Sequence, residues 1–220
     1  MDALAREFIR LAHVVLVLAP YPRGGLRVDD SNFPYVVVRH PRYYSSRWLV
    51  SWYRWFLIRL HRKWNFDVLH CHGIYPPGYV AALSERKLRI PIVVTSHDWS
   101  LSEEHWRLAK PALFGRHQKA LATADALVAI SQGTAEGYRR LCPEARLVGN
   151  IPNGVDLETL QKREPRPDGL HPAIKPREYI LFLGRLKQRK GVDLLLDAFD
   201  RLPGPSSTQL VVAGDGEEKT

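Results

Sequence analysis

Apolar residues change their spacing along this chain, and the changes mark alternating helices and strands. Leu4, Phe8 and Leu11 recur at helical spacing, and the aliphatic run Val14–Ala19 predicts a buried strand ended by Pro20 and Pro22. A polar loop over Arg23–Asn32 leads to a second predicted strand, Tyr35–Arg39. Arg47–Trp64 reads as one long helix. At about 100° per residue, Leu49, Tyr53, Phe56, Leu57, Leu60 and Trp64 share a core-like face, while Trp48, Trp52 and Trp55 fall beside it with Arg59 and Arg62. Phe66–Cys71, a turn over Gly73–Gly78, a helix over Tyr79–Lys87 and Ile90–Thr95 together predict a βαβ unit, hence parallel strands joined by a right-handed crossover. A helical region over Ser100–Leu121 precedes strand Ala126–Ile130, and Ser131 is placed to cap a helix over Thr134–Leu141. Strand Leu147–Ile151 follows.

The pattern then breaks. Leu157–Lys175, with four prolines in 165–176 and alternating charges, predicts a linker. A new unit opens with strand Tyr179–Leu183, stopped by Gly184. Val192, Leu195, Leu196 and Phe199 give the apolar face of a helix starting near Lys190, and Leu210–Ala213 is the next strand. The expected fold class is α/β: a doubly wound parallel sheet over residues 1–156, a linker over 157–177, and the opening βαβ of a second Rossmann-like domain over 178–220.

Charge refines this picture. The 220 residues carry 32 Lys and Arg against 23 Asp and Glu, a net +9. Residues 1–154 hold 21 of the basic and 12 of the acidic side chains, so the excess lies in the first domain. That asymmetry predicts an anionic partner: a membrane surface, a phosphorylated substrate or nucleic acid. Two cysteines, Cys71 and Cys142, are too few for a disulfide framework, and Val14–Pro20 is too short to span a bilayer. The expected location is the cytoplasm, or peripherally the inner face of its membrane. Arg47–Trp64 holds four of the six tryptophans and five cations without an acid. Three readings fit: packing beneath a neighbouring helix, a membrane interface, or base stacking.

Two clusters carry candidate chemistry. Arg185, Lys187, Arg189 and Lys190 stand between a strand and a helix start, where unpaired N–H groups already attract anions, so the segment reads as a diphosphate site or as a solvated basic turn. His70, Cys71, His72, His97 and Asp98 gather at strand ends. Alternation puts His70 and His72 on one face and Cys71 on the other, and no C-x-x-C or H-E-x-x-H motif accompanies them. The spacing favours one packed imidazole and one facing a cleft over a zinc site. Gly184–Gly191 is not a P-loop, and Gly214-Asp215-Gly216 lacks the third glycine of a dinucleotide fingerprint.

The segment GRLKQRKG (Gly184–Gly191) resembles the G-R-L-x-x-x-K-G stretch of glycosyltransferase family 4, retaining enzymes of the GT-B fold. IPNGVD (Ile151–Asp156), ADALVAIS (Ala124–Ser131), VVTSHD (Val93–Asp98) and VVAGDG (Val211–Gly216) match further family segments in the family's order. The resemblance implies transfer of a sugar from a nucleotide diphosphate donor to a glycan or lipid-linked acceptor, with retention and without metal or cofactor. It implies that Gly184, Arg185 and Lys190 bind the donor diphosphate and that His97 acts in catalysis. Trp48, Trp52, Trp55, Arg59 and Arg62 are then the candidate membrane or acceptor face. The expected setting is cell-envelope polysaccharide or glycoconjugate synthesis, with nucleic acid disfavoured as partner. In that family a first strand and a glycine-rich loop precede the opening helix and strand; none does here, so either Met1 is an internal start or the sequence is a fragment, and the 220 residues alone are expected to be inactive. The alternative is a basic, non-catalytic module that binds anionic lipid or nucleic acid.

Overall fold

The computed structural model describes residues 2–22, 28–41, 47–97, 101, 110–162, 179–202 and 208–219, with the side chains of Arg47, Trp48, Thr159 and Leu160 outside that description. The chain forms two compact units, Met1–Asp156 and Leu157–Thr220.

In the first unit α1 (Asp2–Arg10) leads to β1 (Leu16–Pro20), which pairs in parallel with β2 (Val36–His40) as a two-stranded sheet. The expected buried strand over Val14–Ala19 is corrected here. It begins at Leu16, its side chains are half-buried or exposed, and Val14 stands 96 % exposed ahead of it. Aliphatic density predicts an extended backbone, but what covers a strand is decided by neighbouring elements.

α2 (Arg47–Trp64) leads into a four-stranded parallel sheet of β3 (Leu69–His72), β4 (Ile92–Thr95), β5 (Ala126–Ala129) and β6 (Leu147–Asn150), paired in chain order. The crossovers are α3 (Tyr79–Leu88), α4 (Pro111–Thr123) and α5 (Gln132–Leu141). A single π-turn, Ile74–Gly78, joins β3 to α3 where a simple turn was expected. Pro111 opens α4 well after the predicted start at Ser100, and 102–109 lie outside the described residues. Ser131 caps α5 as expected, its side chain accepting from Thr134 N–H at 3.2 Å.

The sheet and its helices enclose one core: Cys71, Ile74, Ile92, Val94, Leu121, Leu127, Tyr138 and Leu141 are all buried in it. Polar groups at its edge bond across elements. The Asp125 carboxylate, for example, accepts from Ile92 N–H at 2.8 Å, tying the start of β4 to β5. A second cluster seals α2 on α3 through Val50, Tyr53, Leu57, Val80 and Leu88. Trp64, placed by periodicity on that core face, is instead 40 % exposed at the helix end with Lys63 Nζ 5.3 Å from its ring centroid.

In the second unit Leu157–Gln161 is a short helix, α6, so the predicted linker begins with helical structure, and 163–178 lie outside the described residues. β7 (Tyr179–Leu183) and β8 (Gln209–Ala213) pair in parallel around α7 (Val192–Asp200), a βαβ unit. α7 starts two residues later than expected, after a 3-10 turn at Gln188–Lys190 and a left-handed Gly191 (φ 64°) that no side chain would adopt without strain. Val192 is buried, but Leu196 is 51 % exposed, so the predicted apolar face is only partly covered.

Candidate functional site

Parallel pairing sets His72 opposite Thr95, and two further residues bring the chain to His97. Three imidazoles therefore collect at the carboxyl ends of β3 and β4, where groups that act on ligands gather in such sheets. His72 Nδ1 lies 2.8 Å from His97 Nε2, with ring centroids 5.1 Å and planes 15° apart, so the two rings meet edge to edge, and His70 tilts against His72 at 32° with centroids 4.2 Å apart. His70 Nε2 is 2.9 Å from the buried Thr95 hydroxyl. Burial, then the neighbouring His70 and His97, pushes the His72 pKa down to about 3, and burial also lowers that of His70. His97 is exposed.

The backbone just before His97 is anchored from inside. Buried Ser96 donates its N–H to the Tyr138 hydroxyl at 2.7 Å, and that hydroxyl donates to the Val128 carbonyl at 3.3 Å. Cys71 points the other way, into the core, where burial raises its thiol to about 12 and keeps it protonated. Among the described residues no group of three or more His, Cys, Asp or Glu side chains could hold a metal ion. The facing nitrogens of His72 and His97, 2.8 Å apart, are at hydrogen-bond distance. Asp98 lies outside the described residues.

In the second unit the turn Gly184–Gly191 is held by the end of β8 and the residues that follow it. Gly184 N–H donates to Ala213 O at 3.1 Å, Leu186 N–H to Asp215 O at 3.0 Å, and Glu218 N–H to Leu186 O at 3.1 Å. A Cβ at Gly214 would land on the Gly184 carbonyl, and one at Gly216 on the Leu186 backbone, so both glycines are there to let two chain segments touch. The four cations of the turn are not equivalent. Lys187 is paired with Glu217 at 2.7 Å, whereas Arg185 and Lys190 are exposed and make no ion pair among the described residues. No side chain caps α7, so its first N–H groups face the same turn.

On α2, Arg54, Trp55, Ile58, Arg59 and Arg62 line a recess of about 220 Å³ with Lys87 of α3. Trp55 is 55 % exposed with the Arg59 guanidinium 5.6 Å from its ring centroid. Trp52 is not part of this face: it stacks on Phe56 at 4.9 Å and packs against the α2–α3 cluster. The side chain of Trp48 lies outside the described residues. Sequence reasoning missed His72 as a partner of His97, Tyr138 as an anchor, and Arg54 and Lys87 in the recess. Strand register would have found only the first.

Residues 1–159 match the family described as Glycosyltransferase Family 4, and 170–220 match Glycosyl transferases group 1. The chain belongs to glycosyltransferase family 4. A D-inositol 3-phosphate glycosyltransferase of Xylanimonas cellulosilytica is 31 % identical over 163 residues, covering 68 % of this chain and 38 % of that protein. The putative teichuronic acid biosynthesis glycosyltransferase TuaC of Bacillus subtilis is 26 % identical over 157 residues, 70 % of this chain and 39 % of its own length. The chain thus spans about two-fifths of these curated relatives. The crystal structure of Anabaena HepE in complex with UDP and glucose superposes with a TM-score of 0.64 at 18 % identity, over 93 % of this chain and 62 % of that one. The fold of this family 4 chain is accordingly α/β of GT-B type. Among the described residues no helix is long and apolar enough to cross a membrane.

Proposed function

We propose that the protein transfers a sugar from a nucleotide diphosphate donor to a glycan or lipid-linked acceptor, with retention, in the making of a cell-envelope polysaccharide or glycoconjugate. The observation that carries this reading is the turn before α7, where Arg185 and Lys190 make no ion pair among the described residues and the helix start has no side-chain cap. As the bond from the sugar to the diphosphate breaks, negative charge builds on the departing oxygen. A guanidinium, an ammonium and oriented N–H groups stabilise that charge without reorganising, the work a metal ion does elsewhere. His97 holds the sugar or the acceptor hydroxyl from the first unit's strand ends. The nucleotide sugar is a substrate, and no cofactor is required. That HepE binds UDP and glucose, and that TuaC is named for teichuronic acid synthesis, supports the donor class and the envelope setting.

Charge-assisted bonds to phosphate contribute roughly 1.5–3 kcal/mol each. Arg185→Ala should therefore weaken nucleoside diphosphate binding tenfold or more in calorimetric titration, and unchanged affinity would remove this assignment.

The acceptor side of the reading is a peripheral contact with anionic membrane through Trp55, Arg59 and Arg62, joined by Arg54 and Lys87 around the same recess. Each cation near such a surface contributes about 1 kcal/mol. Co-sedimentation with phosphatidylglycerol-containing vesicles should fall as salt rises and fall further in Arg59→Ala. Equal binding to neutral vesicles, or none to either, would contradict the contact.

A further inference from the structure

The three imidazoles at the ends of β3 and β4 are more specifically arranged than a catalytic histidine with neighbours. His72 and His97 face each other nitrogen to nitrogen at 2.8 Å, Nδ1 against Nε2. An imidazole nitrogen is either a donor or an acceptor, so only one proton fits between the two, and its position decides what each ring presents on its other side. We propose that His72 is a positioning residue for His97, accepting at Nδ1 the proton carried by His97 Nε2 and so leaving the Nδ1 lone pair of His97 toward solvent and substrate.

Three observations choose this direction over its reverse. The His70 ring is tilted at 32° against His72 with centroids 4.2 Å apart, and His97 meets it edge to edge, so the His72 ring is held at a face and at an edge. It is also partly buried and resists protonation down to about 3, which keeps it a neutral ring able to accept. His97 is the exposed member, the one that meets a proton donor. If His97 takes up a proton at Nδ1, the bond from its Nε2–H to His72 survives unchanged. In the reverse arrangement His72 Nδ1–H would meet a second N–H, and the pair would have to break. His70 turns its Nε2 to Thr95, so it does not compete for the facing nitrogens of His72 and His97. Tyr138 then completes the support by holding Ser96, the residue before His97. The ring is held on one side by an acceptor and its backbone by a core hydroxyl.

This inference rests on the reading of His97 as the residue facing substrate, but its test needs no turnover. In ¹⁵N-labelled chain, two-bond imidazole correlations at neutral pH should show His97 as a single tautomer with the proton on Nε2. His72→Phe keeps an aromatic ring beside His70 but removes the acceptor, and should bring the two His97 nitrogen shifts to intermediate, averaged values. His72→Asn puts a carbonyl oxygen near the position of Nδ1 and should restore the single tautomer. A wild-type His97 protonated on Nδ1, spectra identical in all three proteins, or an Asn variant that averages like the Phe variant would each overturn the proposal. Failure of His97 as a catalytic group would show instead as unchanged sugar transfer in His97→Ala.

Discussion

In a chain carrying both domains at the length of the curated relatives, His97→Ala is expected to lower sugar transfer about 100-fold and to leave the melting temperature close to the parent's. The physical basis is the contrast between His97 and the residues that hold it. Its side chain is exposed, so little packing is lost with it, whereas Ser96 and Tyr138 behind it are buried and stay in place. Removing a group that meets the reacting atoms lowers the rate without unfolding the scaffold. Activity and melting temperature measured on one preparation separate the two possibilities. A large loss of stability with a proportionate loss of activity would make His97 a packing residue.

The second large effect is expected from a methyl group. Gly216→Ala places a Cβ against the backbone of Leu186, 2.7 Å from its carbonyl carbon and 2.8 Å from its nitrogen. Backbone cannot rotate aside as a side-chain tip can. The clash must be relieved by moving either β8's following turn or the segment that carries Arg185. Overpacking of this kind costs about 1–3 kcal/mol, against a total stability on the order of 5 kcal/mol for so small a unit. Thermal melting of the second unit should fall by several degrees, and affinity for nucleoside diphosphate should fall with it, although Gly216 itself carries no charge. A Gly216→Ala variant with parental melting and affinity would show that the two segments do not touch as described.

These cases also show where reading the sequence succeeds. Alternation of apolar runs with helical spacing predicted the order β3–α3–β4, the cap at Ser131 and the opening of the second unit, because each depends on residues close in the chain. Alternation along β3 also separated His70 and His72 from Cys71, and the structure keeps them apart: two neighbouring rings on one side, a core thiol on the other.

What escaped was settled by elements distant in sequence. Trp52 and Trp55 look equivalent on a helical projection. Trp52 packs with the α2–α3 cluster while Trp55 is left outside, a distinction that belongs to α3 rather than to α2. Lys187 looks like Arg185 and Lys190 until Glu217, thirty residues on, takes its charge. The buried strand expected at Val14 fails for the same reason, since its aliphatic residues say nothing of their neighbours.

The central claim is that the turn from Gly184 to Gly191 binds the diphosphate of a sugar donor. Backbone amide NMR of the chain titrated with UDP, GDP and ADP tests it directly, because even weak binding moves resonances at the contact. Shifts should concentrate on Gly184–Gly191 and the first turn of α7 for at least one nucleotide, and should vanish in Arg185→Ala. Shifts centred elsewhere, or shifts at that turn that persist unchanged without Arg185, would contradict it.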